Sequence, residues 1–139
     1  MEALKNQVGG NHYKSMKIQP IELISKLNLN YFQGNIVKYI SRDKENKIED
    51  LKKAKHYCEL AIELDKKDNI FKQIVFYFTR KRKIKEIANY CDVNLMYNRE
   101  VFILPNILCK KYDIAIRELN ITINQDIYGL ETSATTHAK

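Results

Sequence analysis

The scarcity of helix-breaking residues constrains this chain more than any other feature of its sequence. Its 139 residues include 4 glycines and 2 prolines. Because Gly and Pro are the residues that most often interrupt regular secondary structure, this chain has little room for long irregular stretches. It is 45% apolar and 29% charged, a composition typical of folded proteins rather than disordered ones. We therefore expect a mainly α-helical fold.

The first half of the chain carries the clearest helical periodicity. Pro20 suits the first turn of a helix that ends at residues 28–30. Apolar residues three and four apart predict a second helix over residues 33–41 and a third from about residue 48 to 66. The connection between these two, residues 43–47, is short enough to make them antiparallel neighbours. The predicted fold is a helical bundle built on this antiparallel helix hairpin.

The second half of the chain has weaker patterns and leaves alternatives open. Residues 70–90 could form one long helix, two helices, or a helix and a strand, because the basic run 80–83 interrupts the apolar pattern. Residues 101–104, just before Pro105, suggest a short strand, and residues 107–119 suggest a helix. Residues 120–128 alternate in polarity and suggest another strand. This part is predicted to be α or α+β.

The same change in pattern predicts a domain boundary near residue 66. Residues 1–66 are expected to form a helical domain, and residues 67–130 a C-terminal extension packed on it. Residues 131–139 lack large apolar side chains and are expected to be a flexible tail.

The charge of the chain favours anionic partners. Its formal net charge is +7, divided into +3 over residues 1–66 and +4 over residues 67–139. No segment approaches 18 apolar residues, so we expect no membrane span. Residues 1–11 contain no apolar run typical of a signal peptide, and the three cysteines are an odd number. We therefore expect reduced thiols and a cytoplasmic protein.

Several motifs of nucleotide and metal chemistry are absent from the sequence. It contains neither G-x-x-x-x-G-K-[ST] nor G-x-G-x-x-G, so we expect no ordinary P-loop. It contains no C-x-x-C, so we expect no zinc site and assign no metal ligands. Glu59 and Glu63, four apart on the third predicted helix, could bind magnesium, but a solvated helix face is the better interpretation.

The two helices of the predicted hairpin each carry a polar stripe with residues three and four apart. These stripes are Asn35, Lys38 and Arg42 on one helix, and Asp50, Lys53 and Tyr57 on the other. In an antiparallel pair, both Arg42 and Asp50 lie near the connection. If the stripes face the same side, they form a shallow groove with the positive charge and N–H donors that a phosphate requires.

Four sequence blocks carry a resemblance to a known family. They are NHYK at residues 11–14, QPIE at 19–22, FQGNIVKYISR at 32–42 and EDLKKAKHY at 49–57. Over about residues 8–66, the chain resembles a small phage-encoded domain family of largely unknown function. That family includes the P-loop-less podophage kinase of deoxynucleoside monophosphates. The resemblance implies a phage protein that acts in the cytoplasm of a bacterial host.

The resemblance also implies a set of site residues, most of which lie on the polar stripes. Phosphoryl transfer would depend on Lys38, Arg42 and Asp50, with magnesium as the expected cofactor. Asp50 would orient Arg42 or help to hold the metal ion, and a tyrosine would stack on the base. The predicted nucleotide-binding residues are His12, Tyr13, Lys14, Asn35, Lys38, Tyr39, Arg42, Lys53 and Tyr57.

Three functions remain open from the sequence. The first is a nucleotide-binding protein that acts as a nucleoside monophosphate kinase. The second is a non-catalytic sponge that sequesters a nucleotide signal of host defence, an anti-defence role. The third is a nucleic-acid or host-protein binder that uses the basic run at residues 80–85. In each case we expect a homo-oligomer, because a small helical hairpin buries too little surface alone.

Overall fold

The computed structural model describes residues 3–6, 8, 10–42, 46–64, 70–94, 96 and 100–136. This part of the chain is mainly helical and contains no strand. A short 3-10 turn, Ala3–Lys5, precedes six α-helices. They are α1 (Pro20–Leu27), α2 (Tyr31–Ile40), α3 (Lys47–Leu64), α4 (Ile70–Val93), α5 (Glu100–Leu108) and α6 (Tyr112–Thr136).

Local capping explains where α1 begins and ends, as the sequence predicted. Pro20 occupies the first helical position, and the backbone N–H of Gln19 donates to the Glu22 carboxylate at 2.8 Å. Asn28 ends the helix in the left-handed conformation, with φ of 51°.

A second capping box starts α2 at Tyr31, two residues earlier than predicted. The backbone N–H of Gln33 donates to the Asn30 side chain at 2.9 Å, and the Gln33 side chain accepts from Asn30 in return. The buried Gln33 amide also donates to the carbonyl of Ile107 at 2.9 Å. This side chain therefore joins the start of α2 to the end of α5.

One hydrophobic core contains residues from both halves of the chain. Helix α2 contributes Ile36 and Ile40, α3 contributes Leu51 and Cys58, and α6 contributes Leu119, all of them buried. Burial raises the pKa of the Cys58 thiol to about 12, so this cysteine is a protonated core residue at neutral pH.

The two strands predicted in the second half are wrong, because both segments are helical. Ile103, Leu104, Ile107 and Leu108 of α5 are all buried, which is helical spacing, and Pro105 lies within this helix. The alternation of polar and apolar residues over 120–128 suggested a strand, but this segment is part of helix α6. Within α6, Leu119 and Ile123 are buried four residues apart, whereas Ile121 between them is 36% exposed.

The basic run does not interrupt α4, so the alternatives of two helices or a helix and a strand are also wrong. Arg80, Lys81, Arg82 and Lys85 are exposed on an unbroken helix. At the end of the chain, α6 includes residues 131–136, and the prediction that these residues form a flexible tail stays a prediction. Residues 137–139, like residues 43–45 of the predicted connection between α2 and α3, lie outside the described residues.

Candidate functional site

The clearest concentration of functional groups lies where α2 packs on α3. Three cationic groups surround the half-buried ring of Tyr39: Lys38 Nζ at 5.2 Å from the ring centroid, Arg42 Cζ at 5.7 Å and Lys53 Nζ at 5.9 Å. The ring of Tyr57 stacks on Tyr39 with centroids 5.7 Å apart. We call this group the cation–tyrosine cluster; its members are Tyr13, Lys38, Tyr39, Arg42, Asp50, Lys53 and Tyr57.

A buried carboxylate fixes the arginine of the cluster. Asp50 is 2% exposed, and its Oδ1 lies 3.5 Å from Nη1 of Arg42. The other carboxylate oxygen, Oδ2, and Nε of Arg42 are both buried without a hydrogen-bond partner. Since buried polar groups are normally paired, this ion pair has unused hydrogen-bonding capacity.

The two lysines of the cluster differ in their partners. Lys53 forms an ion pair with Glu49 one turn earlier on α3, and its Nζ also lies 4.0 Å from Asp50 Oδ1. The Glu49 carboxylate raises the pKa of Lys53. By contrast, no carboxylate of the described residues pairs with Lys38. Lys38 therefore contributes positive charge that is not locally neutralised.

The segment before α1 contacts the other residues of the cluster through Tyr13. Its hydroxyl donates to the backbone carbonyl of Lys38 at 3.4 Å, and the guanidinium of Arg42 lies 6.0 Å from its ring centroid. Burial raises the pKa of Tyr13, and the positive charge of Arg42 opposes that shift. The phenol is therefore neutral at physiological pH and remains a hydrogen-bond donor.

Three other predicted site residues are less directly connected to the cluster. The His12 ring lies edge-on to Tyr13 at 6.5 Å and packs on Gly10, where a Cβ would come within 2.9 Å of the imidazole. Lys14 is exposed on the same turn. The side-chain amide of Asn35 donates to the carbonyl of Tyr31 at 2.9 Å, so it is used within its own helix.

Sequence reasoning missed Tyr31, which extends the aromatic surface of the cluster. Its side chain is 68% exposed, and its ring centroid lies 6.0 Å from that of Tyr57. A hydrogen bond with Tyr31 raises the pKa of Tyr57. Tyr31 precedes Asn35 by four residues, so the spacing of the first polar stripe, continued back by one turn, could have identified it.

Sequence reasoning also missed two residues that support the charged groups. The Glu49–Lys53 pair has the four-residue helical spacing that could have identified it. Lys47, at the start of α3, donates to the backbone carbonyls of Ile40 and Arg42. It therefore fixes the end of α2 close to the Arg42 side chain.

Few of the described carboxylates lie around this site. The described residues contain no group of three or more His, Cys, Asp and Glu side chains that could hold a metal ion. Glu59, one of the two carboxylates considered for magnesium, lies 3.7 Å from Lys55 and 3.6 Å from His56. Asp50 is the carboxylate within the cluster, and one of its oxygens faces Arg42.

Comparison with known proteins identifies a domain but no activity. The model of a family described as a protein of unknown function (DUF3310) matches residues 8–59. Those residues contain every member of the cation–tyrosine cluster. No curated protein and no solved structure matches the chain. The resemblance to a small family of unknown function is thus confirmed over this segment, whereas the link to the podophage kinase stays a prediction.

No helix in the described part of the chain is both long enough and apolar enough to cross a membrane.

Proposed function

We propose that this protein binds a nucleotide through the cation–tyrosine cluster. The observation that carries the proposal is the convergence of Lys38, Arg42 and Lys53 on the ring of Tyr39. Asp50 and Glu49 offset the charges of Arg42 and Lys53, but Lys38 has no counter-ion among the described residues, so a further anion beside these cations is favoured. A phosphate group combines the negative charge and the acceptor oxygens that such a site favours.

Each cation contributes differently to phosphate binding. Arg42 supplies planar N–H donors whose direction is set by the buried Asp50. Lys38 supplies a point charge without a counter-ion among the described residues. Lys53 must exchange Glu49 for the phosphate, so its contribution is smaller. We therefore expect Lys38 and Arg42 to dominate the affinity.

The aromatic side chains suit the base of the nucleotide. Tyr39 is already stacked by Tyr57 and surrounded by cations, so we assign it to positioning those cations rather than to stacking on the base. Tyr31 is the most exposed ring beside the cluster and is the best stacking surface. Tyr13 supplies a neutral hydroxyl next to Arg42.

The proposed groove requires α2 and α3 to be antiparallel, and the order of their contacts supports this arrangement. Arg42 meets Asp50 next to the connection between the helices. Further from the connection, one turn along α2 and two turns along α3, Tyr39 stacks on Tyr57, and Tyr31 at the start of α2 also contacts Tyr57. Contacts that move away from the connection along both helices are those expected of an antiparallel pair.

We further propose two outcomes for a bound nucleotide. As a nucleoside monophosphate kinase, the protein would use Lys38 and Arg42 to neutralise charge on the transferred phosphoryl group, with Mg²⁺ bound mainly by the phosphates. As a non-catalytic sponge, it would hold a nucleotide signal of host defence. The sparse carboxylates, with Asp50 directed at Arg42, favour binding over chemistry.

The cellular setting of the proposal follows the sequence resemblance. We place the protein in phage infection, within the cytoplasm of a bacterial host, and expect it to work as a homo-oligomer. The exposed Ile62 is an apolar group on α3 that a second copy could cover.

Isothermal titration calorimetry tests nucleotide binding. The ligands are nucleoside monophosphates, their deoxy forms, ATP, cyclic nucleotides and ADP-ribose, with inorganic phosphate and unmodified nucleosides for comparison. We expect Lys38→Ala and Arg42→Ala each to weaken binding about tenfold or more. Lys52→Ala is the matched control, because Lys52 is an exposed lysine on α3. Heat signals that are flat for every ligand would contradict the proposal.

Turnover is tested separately with ATP, Mg²⁺ and the monophosphate that binds best. Diphosphate formation that disappears in Lys38→Ala identifies the kinase. Tight binding without product, alongside an active kinase as a positive control for the assay, identifies the sponge.

A further inference from the structure

A second cationic surface lies on α4, a helix that contributes no residue to the cluster. Two neighbouring aromatic rings there are almost fully exposed: Tyr77 at 70% and Phe78 at 79%. Their centroids are 5.7 Å apart in an edge-on arrangement. We call this surface the α4 strip; its residues are Tyr77, Phe78, Arg80, Lys81, Arg82 and Lys85.

Helical spacing places the cations of the strip next to its aromatic rings. Lys81 follows Tyr77 by four residues, and Arg82 follows Phe78 by four. Residues four apart on a helix are neighbours on its surface. Each ring therefore has a positive charge beside it along the helix axis.

The cations of the strip have no counter-ions among the described residues. None of the four takes part in an ion pair there, and residues 76–85 contain no acidic side chain. Glu86, the next residue after the strip, forms an ion pair with Lys26 of α1 at 2.7 Å. Among the residues that the structure describes, the strip is therefore a positive surface without compensating carboxylates.

Within the basic run, Lys83 contacts another helix, whereas the other four cations are exposed. Lys83 donates to the backbone carbonyl of Leu27, the last residue of α1, at 3.2 Å, and lies 5.9 Å from the ring centroid of Phe76. That carbonyl end of α1 is where a positive charge is stabilising. Among the described residues, no such contact is made by Arg80, Lys81, Arg82 or Lys85.

We propose that the α4 strip binds single-stranded nucleic acid. Exposed rings stack on unpaired bases, and adjacent cations neutralise the phosphates of the strand. Paired bases in a duplex do not offer their faces to Tyr77 and Phe78, so the strip discriminates against double-stranded DNA. This proposal is independent of nucleotide binding at the cation–tyrosine cluster.

Other occupants fit the strip less well. A second copy of the chain using the same surface would bring two uncompensated cationic strips together, which is electrostatically unfavourable. A helix that lies on a membrane needs a broad apolar face, whereas the strip combines two rings with four cations, and Ile87, Tyr90 and Cys91 further along α4 are buried in the core. A polyanion with unpaired bases matches both the charge and the rings.

Fluorescence anisotropy with short labelled oligothymidine and oligouridine strands tests the proposal. We expect Tyr77→Ala/Phe78→Ala to weaken binding about tenfold or more. The control is Phe102→Ala, because Phe102 is a phenylalanine of α5 that is 66% exposed. We expect Arg80→Gln/Lys81→Gln/Arg82→Gln to weaken binding and to reduce its dependence on salt. Lys52→Gln, a change of an exposed lysine on α3, should leave binding unchanged.

Several results would overturn this proposal. They are absence of binding at low salt, binding that survives the Tyr77→Ala/Phe78→Ala change, or equal affinity for a duplex of the same length. Binding to phosphatidylserine vesicles but not to oligonucleotides would assign the strip to a lipid surface. Self-association that the same double substitution abolishes, without oligonucleotide binding, would assign it to a second copy.

Discussion

The cation–tyrosine cluster and the α4 strip come from halves of the chain with almost the same net charge, +3 and +4. Their surroundings nevertheless differ. In the cluster, Arg42 and Lys53 are held by Asp50 and Glu49, and the cations gather around a half-buried ring. In the strip, the cations project from one exposed helix without counter-ions among the described residues.

This difference shows that the number of basic residues in a region does not by itself identify a binding surface. Side chains held by buried partners have a fixed geometry, which suits a small ligand whose phosphate must fit between them. Exposed cations on long side chains are mobile and adapt to a polymer along which charge repeats. The two surfaces therefore predict different responses of stability to mutation.

The largest effect on stability is expected when the buried carboxylate of the cluster is removed. Asp50→Asn keeps the shape of the side chain but leaves Arg42 without a counter-ion in a mostly buried position. Breaking a buried ion pair from one side is strongly destabilising, and partial exposure of Arg42 moderates the effect. We expect a loss of about 2 kcal/mol in the free energy of unfolding, measured by urea denaturation followed by circular dichroism.

Glu49→Gln is the matched control for this prediction. Glu49 and Lys53 form an ion pair on the surface of α3, and such exposed pairs contribute little to stability. If Asp50→Asn costs no more than Glu49→Gln, the cations of the cluster are not held by buried charge, and the contrast with the strip fails.

Sequence reasoning succeeded where structure is decided locally. The start of α1 depends on Pro20 and Glu22 within one turn, and its end on Asn28. The proximity of Arg42 and Asp50 follows from two helices and a short connection, and the structure contains that ion pair. Such features involve residues close in the chain, so helical spacing was enough to anticipate them.

It failed where contacts between distant segments decide the outcome. The alternation near Ile121 resembles a strand, but the burial of Leu119 and Ile123 in the common core makes the segment helical. Likewise, the contact of Tyr13 with Lys38 joins residues 25 positions apart. No periodicity within either segment encodes these pairings.

A smaller effect is expected from the hydrogen bond that joins α4, the helix of the strip, to the end of α2, a helix of the cluster. Tyr90 of α4 is fully buried, and its hydroxyl donates to Oγ of Ser41 at the end of α2, at 2.8 Å. Tyr90→Phe should cost about 1 kcal/mol of unfolding free energy. Ser41→Ala removes the same bond, so the effect of the double variant should be smaller than the sum of the single effects.

Alkaline pH provides a second readout for Tyr90. Burial raises its pKa above the ordinary value of 10.0, so the folded state favours the neutral phenol. The stability that this provides is fully present below pH 10 and is lost as the pH rises towards the folded pKa. Unfolding free energy above pH 10 should fall more steeply in the wild type than in Tyr90→Phe; parallel profiles would contradict the assignment.

The smallest effect on stability is expected from the α4 strip. Arg80→Gln/Lys81→Gln/Arg82→Gln removes three charges that have no ion-pair partner among the described residues, so the free energy of unfolding should change by about 0.5 kcal/mol or less. Lys83→Gln is the informative control within the same run, because it removes the charge bonded to the end of α1 and should cost about 0.5–1 kcal/mol. Urea denaturation compares the two variants. A triple variant that is less stable than Lys83→Gln would mean that the strip cations stabilise the fold, and their exposure would then not indicate a binding surface.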